Sequence, residues 1–410
     1  MSTTTAPPHP PEPSADEADE RRTSSVELLW DLVFVFAVTQ VTTLLSRHLT
    51  WSGFGRGLLV LALVWWAWSA FVWAANAQDE SSRSLRMYLL VACAFIFISG
   101  LAVPEAFGAT SLLFAATYAV VRLLHLGLYA DASRRGHASW SAIWGFAITV
   151  AVGMALLVAG SLVGGGARIV LWAAAVLIDY SGPAWLTRDR LRGIQQVAVA
   201  HFAERYGLFV LICLGESIVA IGVGAGSVHL HLSAALIAVV GLGLVATVAM
   251  WWTYFDRLSS WAESALRDHV DPVLAAADGY SYLHLVIVGG VILFAAGVRL
   301  LAHSPMTAPA GAVRLALCAG VSAYLVGLAL FAVRLGAKPT CPKPLAVLAM
   351  LLLFAFGSHL AAWLIMSLTA VVLAGLCVAE TIIEGGPVAE ADHPAAPDPP
   401  GAGPPRDPGG

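Results

Sequence analysis

The amino-acid sequence predicts an all-α integral membrane protein of about twelve transmembrane helices. Three observations carry this prediction. The composition is too apolar for a water-soluble core, apolar runs of spanning length recur along the chain, and about three quarters of the basic residues fall on one side of those runs.

Of the 410 residues, 59% are hydrophobic and 12% charged, where a soluble domain has roughly a quarter charged. A core of this length has no room for so much apolar surface, so hydrocarbon must be the solvent. The 14 tryptophans are expected at the interface, where indoles settle. A net charge of -4 carries no basic footprint for nucleic acid. Five scattered cysteines (Cys93, Cys213, Cys318, Cys341, Cys377) lack metal-ligand spacing and read as small core residues rather than disulfides or ligands. No metal or other cofactor is expected. Residues 1–25 lack the apolar region of a cleavable signal, so the first membrane helix is expected to direct insertion itself.

Residues 1–24 and 386–410 hold 13 of the 21 prolines and few aliphatics, and are expected to be disordered tails. Between them, apolar runs fall at 26–46, 56–76, 85–103, 110–130, 139–162 and 167–186. A second set falls at 203–224, 233–255, 280–300, 310–334, 343–360 and 361–384. Each approaches the roughly 20 residues that cross about 30 Å of hydrocarbon. Residues 344–384 admit two readings: two short spans turning at Gly357, Ser358 and His359, or one span with a re-entrant piece.

With twelve spans, sixteen Lys and Arg residues fall on the face that receives both termini and five on the other, with Arg122 inside a helix. The positive-inside rule then places both termini in the cytoplasm and the protein in a bacterial inner membrane. The two sets also resemble each other. VELLWDLVFVF from Val26 answers AERYGLFVLIC from Ala203, pairing Glu27 with Glu204, and WWAW at Trp65–Trp68 answers WWTY at Trp251–Tyr254. YLLVACAFIFISG at Tyr88–Gly100 answers YLHLVIVGGVILFAAG at Tyr282–Gly297. These matches predict two parallel six-helix repeats, over 25–186 and 203–385, joined by a cytoplasmic linker at 187–202.

Charges inside a membrane are expensive, about 2.5–3.5 kcal/mol at the centre of a span, and so mark functional positions. Here they are Glu27, Asp31, Arg122, His125 and Asp179 in the first half. The second half has His201, Glu204, Arg205, Glu216, Asp256, Asp278, His284 and Glu380. Glu27 and Asp31 share a helix face, and His201, Glu204 and Arg205 lie within one turn. One reading is a vestibule whose carboxylates and imidazoles bind or relay a cation or proton; the other is ion pairing and the attraction of anions to helix N-termini. Glu216 lies 12 residues beyond Glu204, about 18 Å along the helix, with no Lys or Arg within a turn. It is expected to face the protein interior and to change protonation during function. Trp65, Trp66, Trp68, Trp251 and Trp252 read as interfacial anchors or packing. No nucleophile elbow or Walker motif is present.

Four stretches carry a family resemblance: Val26–Gln40, HFAERYGLFVLICLGESIVAIG at His201–Gly222, WWTYFD at Trp251–Asp256 and YSYLHLVIVGG at Tyr280–Gly290. Together they resemble the bacterial low temperature requirement A family over the whole membrane domain. The resemblance points to Glu27, Asp31, His201, Glu204, Arg205, Gly207, Glu216, Asp256 and His284. It supplies neither substrate nor mechanism. Three functions compete: a secondary transporter or ion pathway for a small ion or solute, a membrane-embedded lipid-modifying enzyme with His201 and Glu204 as its acid–base pair, and a non-catalytic stress sensor or scaffold. The partners expected are the lipid bilayer and that ion or solute, and the sequence leaves the oligomeric state open.

Overall fold

The computed structural model describes residues 23–47, 50–76, 82–134, 140–182, 198–226 and 233–384. The two proline-rich tails and the basic part of the linker, including Arg188, Arg190 and Arg192, lie outside the described residues. Among the described residues the structure is all helix, with no strand. The first half comprises α1 (Ser25–Arg47), α2 (Trp51–Asn76), α3 (Arg83–Ala102), α4 (Ser111–Arg134), α5 (Trp140–Leu162) and α6 (Gly165–Ser181). The second opens with α7 (Val199–Gly226) and α8 (Ala234–Phe255), followed by two shorter helices, α9 (Leu258–Arg267) and α10 (Pro272–Ala276). It closes with α11 (His284–Leu301), α12 (Gly311–Arg334), α13 (Pro342–Phe356) and α14 (Ala362–Glu384).

Ten of these segments are long and apolar enough to cross a membrane. The remaining two long helices are α5, whose apolar described stretch is Ala147–Leu162, and α6, with 17 residues. The 344–384 region takes the two-span form, with α13 and α14 separated by a 3₁₀ turn at Gly357–His359. Residues 256–279, which lie between the apolar runs 233–255 and 280–300, are largely helical. Asp271 caps α10 by accepting from the Leu274 amide, with Pro272 in the first turn where its missing N–H costs nothing. The chain then runs through a π-helical segment, Ala277–Leu283, directly into α11, so one span begins eight residues earlier than the apolar run suggested.

The helices pack in the same neighbour pattern in each half. In the first, α1 packs on α2 and α3, α3 on α4, α4 on α5, α5 on α6, and α2 on α6. In the second, α7 packs on α8 and α11, α11 on α12, α12 on α13, α13 on α14, and α8 on α14. The Tyr118 hydroxyl of α4 donates to the Leu63 carbonyl of α2 at 2.8 Å, and the Tyr324 hydroxyl of α12 donates to the Met250 carbonyl of α8 at 2.5 Å. The halves meet where α1 and α11 lie against α7 and α2. Helices α1 and α7 run parallel: Glu27 meets Arg205 near their N-terminal ends, and Thr39 meets Glu216 further along both.

Helices α2 and α11 are apolar on nearly all sides and fill the centre, as an all-round hydrophobic helix must. Glycines let α11 and α12 approach to backbone contact. A Cβ on Gly290 would stand 2.5 Å from the Tyr324 amide nitrogen and 2.6 Å from the Gly320 carbonyl oxygen. The aromatic expectation needs correcting here. Trp30, Trp65, Trp66, Trp68, Trp73 and Trp172 are buried in the protein, while Trp51, Trp144, Trp251, Trp252 and Trp261 are exposed. The Trp65, Trp68, Trp73 and Trp172 indoles each find an acceptor in the core, while Trp30 Nε1 finds none among the described residues, so tryptophan number alone does not report interfacial placement. Three cysteines are buried, Cys377 is partly buried and Cys341 is exposed; all five are free thiols.

Candidate functional site

The α1–α7 seam begins with a local capping motif. Ser24 precedes α1 and Glu27 lies three residues on, and the Glu27 carboxylate reaches back to accept from the Ser24 amide at 3.0 Å and its hydroxyl at 2.8 Å. This holds Glu27 in the first turn and leaves Oε1 to meet Arg205 of α7. There the Arg205 guanidinium donates through Nη1 to Glu27 Oε1 at 3.1 Å and through Nη2 to Asp31 Oδ1 at 2.6 Å. Asp31 Oδ1 also accepts from the Trp68 indole of α2 at 2.8 Å. One turn before Arg205, the His201 Nε2 lies 3.4 Å from Glu27 Oε2. Glu27, Asp31, His201 and Arg205 are all 1% exposed or less, so none can lean on water for its charge.

The charge balance of this cluster is its most informative property. Among the described residues, two carboxylates face one guanidinium, leaving one negative charge over when His201 is neutral. A proton on His201 or on a carboxylate brings the cluster to neutrality, and burial makes the unbalanced state costly. Asp31 Oδ2 and both imidazole nitrogens of His201 make no hydrogen bond among the described residues, so acceptor capacity for a proton remains.

Glu216, further along α7, is buried and accepts from the Thr39 hydroxyl of α1 at 2.8 Å. His284, immediately after the π segment, is fully buried; its Nδ1 lies 2.9 Å from the Gly279 carbonyl and its Nε2 lies 2.8 Å from the Tyr254 hydroxyl. The carbonyl contact fixes the proton on Nδ1 and leaves Nε2 to accept from Tyr254. Between His284 and the acidic cluster lies a set of hydroxyls and indoles that sequence reasoning missed. Ser69 is 2.7 Å from the Tyr206 hydroxyl and donates to Ser281 Oγ at 3.0 Å, which also accepts from the Trp73 indole at 2.7 Å. Tyr206 packs edge-on against both Trp68 and His284. The cue for Ser281 was present, in that it is the lone serine inside YSYLHL, but buried serines are too common in membrane helices to single out.

Two predicted residues fall outside this arrangement. Glu204 is exposed and accepts from Thr23 at 2.8 Å, because its helical position points away from α1 while Arg205 points toward it. Asp256 caps the end of α8, partly exposed, with its carboxylate 3.6 Å from the Arg257 guanidinium. It lines a surface cavity rather than the seam. A second buried pair, Arg122–Asp179 at 2.6 Å, joins α4 to α6 with His125 beside it. One cation faces one anion there, so that pair is balanced as it stands.

The geometry defines an all-helical, multi-pass membrane protein with an acidic, arginine-bridged cluster between two parallel helices. The family model of the bacterial low temperature requirement A protein (LtrA) matches residues 22–378, which include every residue of the α1–α7 seam named above, and the chain belongs to that family. It is 31% identical over 288 residues to an uncharacterized protein of Rhizobium meliloti (strain 1021), covering 69% of this chain and 70% of that protein. No solved structure matches.

Proposed function

We propose that the protein is a secondary transporter or proton pathway of a bacterial inner membrane, built from two parallel six-helix repeats with both termini in the cytoplasm. The observation that carries this reading is the unbalanced cluster of Glu27, Asp31, Arg205 and His201, whose neutral state holds one more proton than its charged state. Glu216 offers a second carboxylate deeper in the same seam. A proton taken up at the first and passed to the second moves along α1 and α7 without entering lipid. The repeat reading draws support from the shared neighbour pattern and from the two tyrosine-to-carbonyl bonds between the second and fourth helices of each half. The cytoplasmic placement rests on the sixteen-to-five distribution of basic residues.

Purified protein in vesicles containing a pH-sensitive dye tests the function. Under an imposed membrane potential, wild-type vesicles are expected to change internal pH and Asp31→Asn vesicles to do so at least tenfold more slowly. Equal rates in the two preparations, or no proton movement in wild type under any tested solute gradient, would overturn the proposal.

A further inference from the structure

On the face where α8, α12 and α14 end and α13 begins lies a cavity of about 730 Å³, well apart from the α1–α7 seam. Its walls carry Arg257, Lys338 and Lys343 against two acids, Asp256 and Glu380. The acids are already engaged: Lys343 meets Glu380 at 2.5 Å, and Arg257 meets Asp256 at 3.6 Å. Lys338, on the exposed loop after α12, adds a third cation, so the cavity is net positive. The Thr340 hydroxyl supplies a neutral donor beside it, while those of Ser260 and Ser264 line the wall but donate to the Arg257 and Ser260 carbonyls. Trp252 and Trp261 line the same cavity and are 42% and 38% exposed, unlike the buried indoles of the core.

We propose that this cavity binds the net-anionic phosphodiester head of a membrane phospholipid. Cations and hydroxyls suit phosphate oxygens, and exposed indoles at the end of a span sit at headgroup depth, where their ring faces meet the upper acyl chain. The cavity lies within the size range of small-molecule sites. Helix α9 forms one wall and turns its Ala262 and Leu266 into the protein, which anchors the polar rim from the opposite side. A soluble phosphate shares the headgroup chemistry but has no use for the two indoles, and this favours the lipid.

The test uses the full-length protein purified in neutral detergent. Native mass spectrometry counts lipid retained after titration with phosphatidylglycerol or with phosphatidylcholine of the same chains, and thermal unfolding is followed with inorganic phosphate alone. Saturable retention of phosphatidylglycerol is expected, with little retention of phosphatidylcholine and no stabilisation by inorganic phosphate. Arg257→Gln/Lys338→Gln is expected to weaken phosphatidylglycerol binding about tenfold, while Lys338→Arg keeps it. Arg83→Gln removes an exposed charge from the start of α3 without touching the cavity and is expected to bind as wild type. Unchanged binding in the double variant, or equal retention of both lipids, would overturn the assignment. Stabilisation by inorganic phosphate without phosphatidylglycerol retention would also overturn it, by making the cavity a soluble-anion site. Monodisperse elution of each variant separates lost binding from lost fold.

Discussion

The Thr39 hydroxyl of α1 donates to the Glu216 carboxylate of α7 at 2.8 Å, and these residues stand 177 positions apart. Glu27 and Glu204, the acids that begin the matched stretches of the two halves, have the same separation. Residues at equivalent places in two repeats touch each other only near an axis relating them. The Thr39–Glu216 bond therefore marks where such an axis would pass, and it puts a carboxylate on one side of it and a neutral hydroxyl on the other. The two halves share a packing scheme but not their chemistry. Arg205, Asp31 and Glu216 have no charged counterpart at the matching positions Leu28, Leu208 and Thr39. In the proposed proton pathway, this asymmetry leaves a single set of proton-holding groups rather than two.

Glu216→Gln keeps the shape of the side chain and its bond to Thr39 but removes a titratable group. The variant is expected to insert and elute normally, and to lose proton movement in dye-loaded vesicles by at least tenfold. A Gln variant with full, pH-dependent activity would make Glu216 a packing residue and end its part in coupling.

Among the described residues, Arg205 is the sole cation facing Glu27 and Asp31 in their buried cluster, apart from His201 when protonated. Arg205→Gln leaves two carboxylates buried without a permanent counter-charge, and is expected to destabilise the protein by about 3–5 kcal/mol. Adding Asp31→Asn to Arg205→Gln removes one of the stranded charges and is expected to recover a good part of that loss. Thermal unfolding of both variants in the same detergent measures the recovery. A double variant no more stable than Arg205→Gln would mean that the loss comes from packing around the guanidinium.

Much of this architecture was legible in the chain because hydrocarbon imposes simple rules. Apolar length set the helices, and the turn at Gly357–His359 appeared where a glycine, a serine and a histidine interrupt an apolar run. The meeting of Glu27, Asp31, His201 and Arg205 was legible only in part. Their helical spacing gave shared faces within each helix, but nothing local states that α1 lies against α7. Glu204 shows the limit from the other side: it is adjacent to Arg205, yet a 100° rotation per residue carries it out to the surface. The Ser69–Tyr206–Ser281 cluster was hidden for another reason. Its members come from three segments, and each is an unremarkable residue in an apolar setting. The helices after α8 left no mark among the apolar runs because α9 is amphipathic and α10 short, so neither registers as a span by itself.

The contact between α11 and α12 gives a sharp stability test from two adjacent residues. A methyl at Gly290 collides with backbone of α12, which cannot move aside as a side chain can, whereas a methyl at Gly289 meets only Leu61 Cδ2 at 3.6 Å. Gly290→Ala is expected to cost about 1–3 kcal/mol through forced separation of the helices. Gly289→Ala is expected to be neutral or to stabilise by up to about 1 kcal/mol from helix propensity. Thermal unfolding in detergent compares them, and similar melting temperatures would show that α11 and α12 are less closely held than the backbone contact implies.

The orientation of the chain can be read from one native thiol. Cys341 is exposed at the start of α13, while Cys93, Cys213 and Cys318 are buried, and Cys377 is partly covered. By helix alternation Cys341 lies on the face that also carries Arg257, Lys338 and Lys343, the face expected in the cytoplasm. Trp51 is 70% exposed at the start of α2, on the opposite face. In right-side-out membrane vesicles a membrane-impermeant maleimide is expected to leave wild-type Cys341 unmodified until detergent is added. Trp51→Cys, made with Cys341 replaced by Ser, is expected to react before detergent. Cysteines placed at 225–232 should behave like Trp51→Cys and those at 188–192 like Cys341, which extends the test to positions before α7 and at or after its end. The reverse pattern would turn the protein over in the membrane, and would put the Glu27–Asp31–Arg205 cluster near the periplasmic rather than the cytoplasmic surface.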